Sequence, residues 1–334
     1  MVFVKVSQTY DLSTKVGKMG IIGIHTPPYY LLNRMWSGLI KNHRYMRLDK
    51  CDIVVACAST LPADPLQVGV EEGSIAPQDM FNPILYRATS NDSFNTIVSR
   101  IYGGSHTPFT YGTLTKDELP TDISNDDNFK IYYSLLADPD GWRKALPQQG
   151  LEMKGLYPIV YSVVNTYGNV RYLKQLDNSI NNGVPRVGEI DSTDPPLRDI
   201  DVPADASSFR GPSMRMPKIP TMVPTGGSSI SADPYSSDEA VCTRPNEFPR
   251  TYVACLITPP AKLSKFYFRM KVTWTIELTE LMPNTEQNTL EAFINGASVL
   301  YGSDYDQQSK TMDVKTDMID SQGADLELVM DSTR

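Results

Sequence analysis

The stretch that decides the fold is FYFRMKVTWTIELT, at residues 266–279. Apolar residues occupy every second position of it, from Phe266 to Leu278, and charged residues, threonines and Tyr267 fill the positions between them. Because successive side chains of a strand point to opposite faces, this pattern predicts one strand with an apolar face on a core and an exposed polar face. At roughly 3.3 Å per residue the strand would span about 45 Å, so we expect it at the centre of a large β-sandwich.

The composition favours strands over long helices and indicates an all-β fold. The chain has 334 residues, of which 40% are hydrophobic, so a sizeable core is available. It also contains 25 prolines and 18 tyrosines, which are typical of turns and strands. No apolar run approaches the ~18 residues of a membrane-spanning helix, and the first residues lack the pattern of a secretory signal. We therefore expect a protein with no membrane segment.

Hydrophobic periodicity predicts further elements on both sides of this stretch. The predicted strands are at residues 2–12, 44–60, 129–136, 157–164, 251–258 and 326–330. The strand at 44–60 would have a fully buried centre at residues 53–56, and the strand at 251–258 would form an antiparallel hairpin with 266–279. Two amphipathic helices are predicted: one that Thr26 caps and that contains Leu32 and Ile40, and one that runs from Asp92, as its cap, to Ile101.

The distribution of prolines suggests how the chain is divided. Residues 184–249 contain eleven prolines among many Ser, Gly and Asp residues. Because proline has no amide hydrogen to donate to a central strand, we interpret this segment as a long loop excursion. Residues 1–283 are predicted to form one domain that includes the excursion. Residues 284–334 would be an acidic C-terminal extension or small subdomain, with a helix that begins near Asn284 and ends near Gly302.

The sequence lacks the motifs of common enzymes and metal sites. The three histidines, His25, His43 and His106, form no helix-spaced pair and no nucleophile signature, so we interpret them as structural. An aspartate-rich stretch near residue 304 fails as a calcium loop, because Ser309 stands where glycine is required and Lys315 where glutamate is required. The four cysteines form no Cys-x-x-Cys pair, so free thiols are favoured over zinc or a disulfide. We predict no enzyme activity, no cofactor and no metal.

The net charge of −8 conceals an asymmetry between the two ends of the sequence. Residues 1–50 carry eight Lys/Arg and two Asp, a net charge of +6, whereas residues 280–334 carry three Lys/Arg and eleven Asp/Glu, a net charge of −8. Cations interleaved with aromatic residues suit single-stranded nucleic acid, because phosphates meet the cations and unpaired bases stack on the rings. The candidate DNA contacts are Lys5, Lys15, Lys18, Arg34, Lys41, Arg44, Tyr45, Arg47 and Lys50. Solvated faces with no partner are the alternative, and Arg44 and Arg47 would point to opposite faces of a regular strand.

Three runs of sequence stand out: MVFVKVSQTYDL with GKMGIIGIHTP in residues 1–27, the run 51–69 that contains LPADPLQVG, and the run 76–86 that contains PQDMFNP. These runs resemble the capsid proteins of smacoviruses. The length and the order of segments are similar as well, so the resemblance covers most of the chain. It implies a coat protein built on a jelly roll of two four-stranded sheets. About sixty copies would form a T=1 icosahedral shell around a circular single-stranded DNA genome.

The resemblance also implies partners and a location. The protein would reside in the virion, bind the DNA genome with its basic amino-terminal region and meet a host-cell receptor that the sequence does not identify. In such a shell Arg269 and Lys271, which share the outward parity of the alternating stretch, join the candidate DNA contacts. The chain lacks the Arg-rich arm with which many related coat proteins begin. A monomeric β-sandwich binding module, of the carbohydrate-binding or adhesin type, is the alternative function.

Overall fold

Strands make up most of the described chain, which confirms the all-β prediction. The structure is a computed structural model that describes residues 1–58, 79, 81–102, 125–138, 141–165, 208–224, 243–262, 265–282, 301–303 and 305–330. Its strands are β1 (Val2–Ser13), β2 (Gly20–His25), β3 (His43–Cys57), β4 (Ile84–Ala88), β5 (Arg143–Ala145), β6 (Leu151–Leu156), β7 (Ile159–Asn165), β8 (Ser208–Arg215), β9 (Ile219–Pro220), β10 (Met222–Pro224), β11 (Thr243–Pro245), β12 (Tyr252–Thr258), β13 (Tyr267–Leu281), β14 (Tyr301–Gly302), β15 (Val314–Lys315), β16 (Ile319–Gln322) and β17 (Asp325–Met330). Its helices are α1 (Tyr29–Lys41), α2 (Asn91–Tyr102), α3 (Asn125–Leu136) and α4 (Tyr305–Lys310), with a 3-10 helix at Pro147–Gln149.

The alternating stretch forms β13, at the centre of the first large sheet. This six-stranded sheet has the order β17-β1-β13-β3-β6, and β9 also pairs with β3. Met270 and Val272 of β13 are buried, whereas Arg269 and Lys271 are exposed, and Trp274 is completely buried. Both neighbours, β1 and β3, are antiparallel to β13 along nearly its whole length. The prediction of a long central strand with an apolar core face is therefore confirmed. The predicted exposed polar face is exposed at Tyr267, Arg269 and Lys271, but Thr275, Glu277 and Thr279 are buried.

The second large sheet is the more deeply buried of the two. It has six strands in the order β15-β16-β2-β12-β4-β5, and β2 and β12 are buried on both faces along their whole length. One face packs against an apolar cluster to which α2, α3 and α4 contribute. Members of this cluster are Ile21, Phe94, Ile97, Tyr132, Tyr252, Ile257 and Tyr305. The helices therefore form a layer that covers this face of the sheet. Burial of each large apolar side chain in the cluster stabilises the fold by about 2 kcal/mol.

Polar side chains on the inner face of β1 bond to the turn between β15 and β16, and so join the two sheets. The amide Nε2 of Gln8 donates to Asp317 Oδ2 at 2.6 Å, and the hydroxyl of Tyr10 donates to Gln8 Oε1. The hydroxyl of Thr316 lies 3.4 Å from the hydroxyl of Tyr10. Gln8 and Tyr10 are fully buried, and burial raises the pKa of Tyr10. These contacts hold the first strand of the chain against a segment near residue 317.

Each large sheet has two strands more than the four that the resemblance implies. The additional strands are β9 and β17 in the first sheet and β15 and β16 in the second. β17 pairs with β1, and β16 pairs with β2, so strands from both sides of the predicted boundary at residue 284 share the sheets. The division into domains at that boundary stays a prediction, and the helix predicted near Asn284 lies outside the described residues.

A second compact unit consists of Tyr161–Ser213 and Val299–Gly302. Its described strands form the three-stranded sheet β14-β7-β8, which confirms the strand predicted at residues 157–164. The guanidinium of Arg210 lies over the ring of Tyr161, 4.2 Å from its centroid. A Cβ atom on Gly302 would lie 2.5 Å from this ring, so glycine is required there for the strands to approach.

Two predictions about strand pairing and type are wrong. β12 and β13 form no hairpin, because β12 pairs with β2 and β4 in the second sheet and β13 lies in the first. The dipeptide Pro259-Pro260 follows β12 and marks the crossing between sheets. Residues 129–136 belong to the helix α3 rather than to a strand. The buried residues Asn128, Tyr132 and Leu135 of this helix recur at spacings of four and three, which is the helical period.

Two finer predictions also require correction. The centre of β3 is not buried throughout, because Ile53 and Val55 are buried while Val54 and Ala56 are exposed. Neither predicted helix cap acts as one. α1 begins after Pro28 without a side-chain cap, and the hydroxyl of Thr26 donates instead to the carbonyl of Pro249 at 3.0 Å. α2 begins at Asn91, one residue before Asp92.

Candidate nucleic-acid interface

Six of the predicted DNA contacts lie on one face of the first sheet. In the register, Lys5 of β1 and Lys50 of β3 both lie directly opposite Thr275 of β13. Because directly opposite residues share a face, and every second residue returns to it, Lys271 lies on the same side. We call this solvent-facing side of the first sheet the basic face. Its predicted contact residues are Lys5, Tyr45, Arg47, Lys50, Arg269 and Lys271.

A β-bulge in β3 brings Arg47 and Lys50 to the same face. Arg47 pairs with Glu277, but Lys50 pairs with Thr275, because the register shifts by one residue between Thr275 and Ile276. Asp49 is thus one extra residue in β3, and such a residue reverses the alternation of side chains beyond it. A regular strand would place two residues three positions apart on opposite faces, so sequence reasoning could not find this pairing. Arg44 has the opposite parity to Arg47, as predicted.

Arg47 is engaged in an ion-pair network rather than free for a ligand. Its guanidinium Nη2 donates to Glu277 Oε2, and Lys218 Nζ lies 3.2 Å from Glu277 Oε1. The side chain of Glu277 is only 1% exposed, although it lies on the solvent-facing parity of β13. Arg215 bonds to Asp49 Oδ1 at 3.0 Å in the same network. The network fixes the segment around residues 215–218 against β3 and β13, so the role of Arg47 is structural.

Two further predicted contacts are paired with carboxylates. Arg269 donates to both oxygens of Asp11, at 2.8 and 3.1 Å, and this bond lowers the pKa of Asp11. Lys15 lies outside the basic face, 2.8 Å from Asp325, and its hydrogen bond lowers the pKa of that carboxyl group. Both pairs are substantially exposed, so water screens them, and they hold the cations less firmly than a buried pair would.

Lys5, Lys50 and Lys271 remain available for a ligand. All three are exposed, and none has a carboxylate partner in the part of the chain that the structure describes. Tyr45, also exposed, lies opposite Thr279 on the same face. The other candidates lie elsewhere: Lys18 follows β1, and Arg34 and Lys41 are exposed on α1. The indole nitrogen of Trp36 on α1 donates to the backbone carbonyl of Lys5 at 3.0 Å, so this ring is not a free stacking surface.

Two exposed aromatic residues on the basic face were missed as candidates. Tyr267 is 56% exposed and lies opposite Ser13, and Phe3 is exposed opposite Glu277. On their strands, both residues point to the same side as the predicted lysines. The alternation of side chains was therefore the sequence signal that could have identified them. Flat rings beside lysines are the combination that binds unpaired nucleotides, because the rings stack on bases and the ammonium groups meet phosphates.

A second polar cluster is enclosed in the core and is therefore structural. His25 and Asp320 are completely buried, with His25 Nε2 3.6 Å from Asp320 Oδ1. The hydroxyls of Tyr252 and Tyr305 both donate to Asp320 Oδ2, the first at 2.8 Å. Burial alone would raise the pKa of Asp320, but the contact with His25 and the two tyrosine hydroxyls bring it below its usual value. The structural interpretation of His25 agrees with this enclosure.

The described residues contain few other chemical groups of note. Cys51 and Cys255 are free and buried, Cys57 is free and half-buried, and Cys242 lies outside the described residues. Burial raises the pKa of Cys255 to about 12. Within the described ranges, no cluster of three or more His, Cys, Asp or Glu side chains is arranged to hold a metal ion. In those same ranges, no helix combines the length and the apolar character that crossing a membrane requires.

Comparison with known proteins identifies the family. The model of the smacovirus capsid protein family matches residues 1–334, the whole sequence. No curated protein and no solved structure matches the chain. A match over the full length favours a coat protein over the monomeric binding module, and it agrees with the β-sheet structure and with the three runs of sequence that carry the resemblance. The chain therefore belongs to the smacovirus capsid proteins and is a structural protein of the virion.

Proposed function

We propose that this capsid protein forms a T=1 shell of about sixty subunits, with a jelly-roll core, around a circular single-stranded DNA genome. The core would consist of eight strands: β1 to β6, β12 and β13. Four antiparallel pairs support it, namely β1 with β13, β2 with β12, β3 with β6 and β4 with β5. These pairs join the first strand of the eight to the last, the second to the seventh, and so on inward. A long hairpin of eight strands that is rolled on itself has this pairing.

The basic face is the surface that we assign to the genome. The observation that supports this assignment is the position of Lys5 and Lys50 on either side of Thr275, with Lys271 on the same face. None of these three lysines has a carboxylate partner among the described residues. Tyr45 and Tyr267 supply exposed rings on the same face as these lysines. The face would thus look into the shell, and the acidic carboxyl-terminal region would lie outside or between subunits.

The contact with DNA would be modest and sensitive to salt. Lysines release condensed counterions from the phosphates that they neutralise, so binding weakens as salt rises. Only a few unpaired cations per subunit take part, but a closed shell repeats them on every subunit. The protein would have no catalytic step, since its role is to enclose the genome.

Replacement of the three lysines tests the assignment. Shells of the variant Lys5→Ser/Lys50→Ser/Lys271→Ser should assemble and contain much less DNA than wild-type shells, because the interior loses its phosphate contacts. The measurement is the absorbance ratio at 260 and 280 nm of purified shells, with extraction of the DNA. The matched control is Lys262→Ser/Lys310→Ser/Lys315→Ser, which removes three exposed lysines outside the first sheet. Equal DNA content in the two variants would contradict the assignment, and a wild-type protein that stays monomeric would contradict the shell.

A further inference from the structure

The edges of the two large sheets are protected unequally. Exposed sheet edges tend to pair with other chains, and proteins protect them with short strands or charged side chains. The edge strand β15 has two residues, one of them Lys315, and β6 exposes Glu152 and Lys154. β17 also has exposed charges, but it differs from these strands in its large apolar side chains, because Leu328 and Val329 are 44% and 39% exposed.

The charge of β17 is acidic. Glu327 is exposed and has no ion-pair partner in the described part of the chain. It lies directly opposite Asp11 in the register, and Asp11 is itself paired with Arg269, so the neighbouring strand offers Glu327 no cation. No further strand covers the outer side of β17 among the described residues. This edge therefore combines an apolar surface with an uncompensated negative charge.

The edge strand β5, in the second sheet, has the complementary character. Arg143 and Lys144 of β5 are exposed, and neither has a carboxylate partner in the residues that the structure describes. Leu146 follows directly and is 42% exposed. β5 ends the second sheet on the side opposite to β15 and β16, whereas β17 ends the first sheet on the side where it contacts β16. The two edges thus lie on opposite sides of the same unit.

We propose that β17 of one subunit docks against β5 of a second copy of this chain. Leu328 and Val329 would meet Leu146, and Glu327 would face the cations Arg143 and Lys144, so that an apolar centre has a charged rim. Such a contact joins two different patches head to tail, and repetition of it around a rotation axis closes a ring. Pairing of β17 with a second β17 would place Glu327 against Glu327 and is disfavoured. The inference rests on the proposed function, because only a closed assembly uses both edges of every subunit.

A reciprocal charge exchange tests the contact. Glu327→Lys and Lys144→Glu should each raise the protein concentration needed for assembly by ~10-fold or more, because like charges then face each other across the interface. The double variant Glu327→Lys/Lys144→Glu should assemble at nearly the wild-type concentration. Light scattering and negative-stain images follow assembly, and near-ultraviolet circular dichroism verifies that each variant is folded. Lys310→Glu, at an exposed residue that ends α4 outside both edges, is the control and should assemble as wild type does.

Each outcome bears on the inference. Restoration in the double variant supports it. Single variants that assemble as wild type does would overturn it, since the two edges would then be covered by other segments of the same chain or exposed to solvent. Impaired single variants with no recovery in the double variant would also overturn it, because the two positions would then not face each other. Wild-type protein that forms no particle would instead contradict the shell itself.

Discussion

Arg47 and Glu277 form an ion pair on the solvent-facing side of the first sheet, yet Glu277 is almost completely buried. The pair lies in one register row of β3 and β13, and Lys218 approaches the same carboxylate from the segment before β9. The basic face is therefore divided into two parts. Around Glu277 its cations hold the structure together, and around Lys5, Lys50 and Lys271 they remain available for a ligand.

Removal of Arg47 should destabilise the subunit more than its exposure suggests. Arg47→Met leaves a buried carboxylate with Lys218 as its remaining cation. We expect the free energy of unfolding to fall by about 2 kcal/mol. This is less than for a fully buried pair, because Arg47 is 28% exposed. Urea unfolding of the subunit measures the change. Arg269→Met is the matched control, since its pair with Asp11 is exposed and should contribute little. Equal effects of the two substitutions would contradict the structural role of Arg47.

Acid should weaken the core through Asp320. Its pKa in the folded protein lies below the ordinary value of 3.8, so the carboxylate stabilises the fold above that pH, and this stabilisation is lost as the pH falls through the folded pKa. Asp320→Asn should lower the thermal midpoint at pH 7, and its difference from wild type should shrink below about pH 4. Thermal scans between pH 2 and pH 7 check this. A difference that stays constant over the whole range would show that Asp320 acts only through packing.

Tyr267 should contribute to DNA binding by stacking and not by charge. We expect Tyr267→Ser to weaken the binding of a short single-stranded oligonucleotide by about tenfold while the slope against salt stays the same. Lys271→Ser should instead reduce that slope by about 0.7, the value for one phosphate contact on a single strand. Fluorescence titrations of unassembled subunits at several salt concentrations separate the two effects. Tyr133→Ser on α3 removes an exposed ring outside the first sheet and should change neither quantity.

Local patterns predicted β1, β3, β12 and β13, but they missed β2, β4, β5 and β6, and they did not predict how the strands pair. The alternation of β13 and the apolar run of β12 were recognisable because burial imposes a period on the side chains. That period carries no information about the neighbouring strand, so the proposed hairpin placed β12 in the wrong sheet. In residues 129–136 the tyrosines and isoleucine suggested a strand, whereas the spacing of Tyr132 and Leu135 already had the helical period.

The candidate site was predicted in composition and only partly in geometry. The excess of basic residues in residues 1–50 identified Lys5 and Lys50 as candidates, and their contact with DNA stays a prediction. Their distribution over faces depended on the extra residue Asp49 in β3, and no sequence rule marks a bulge at that position. The sequence also did not show which cations are neutralised, because Asp11, Glu277 and Asp325 are distant in sequence from the residues that they pair with.

The pairing of β1 has a consequence for the order of synthesis and folding. β1 is made more than two hundred residues before its two strand neighbours, β13 and β17. Contacts so distant in sequence close slowly, and no nascent chain that stops before residue 267 can complete the first sheet. Subunits should therefore become competent to assemble only after β13 and β17 have left the ribosome. The topology thus excludes unfinished chains from the shell without any dedicated checkpoint.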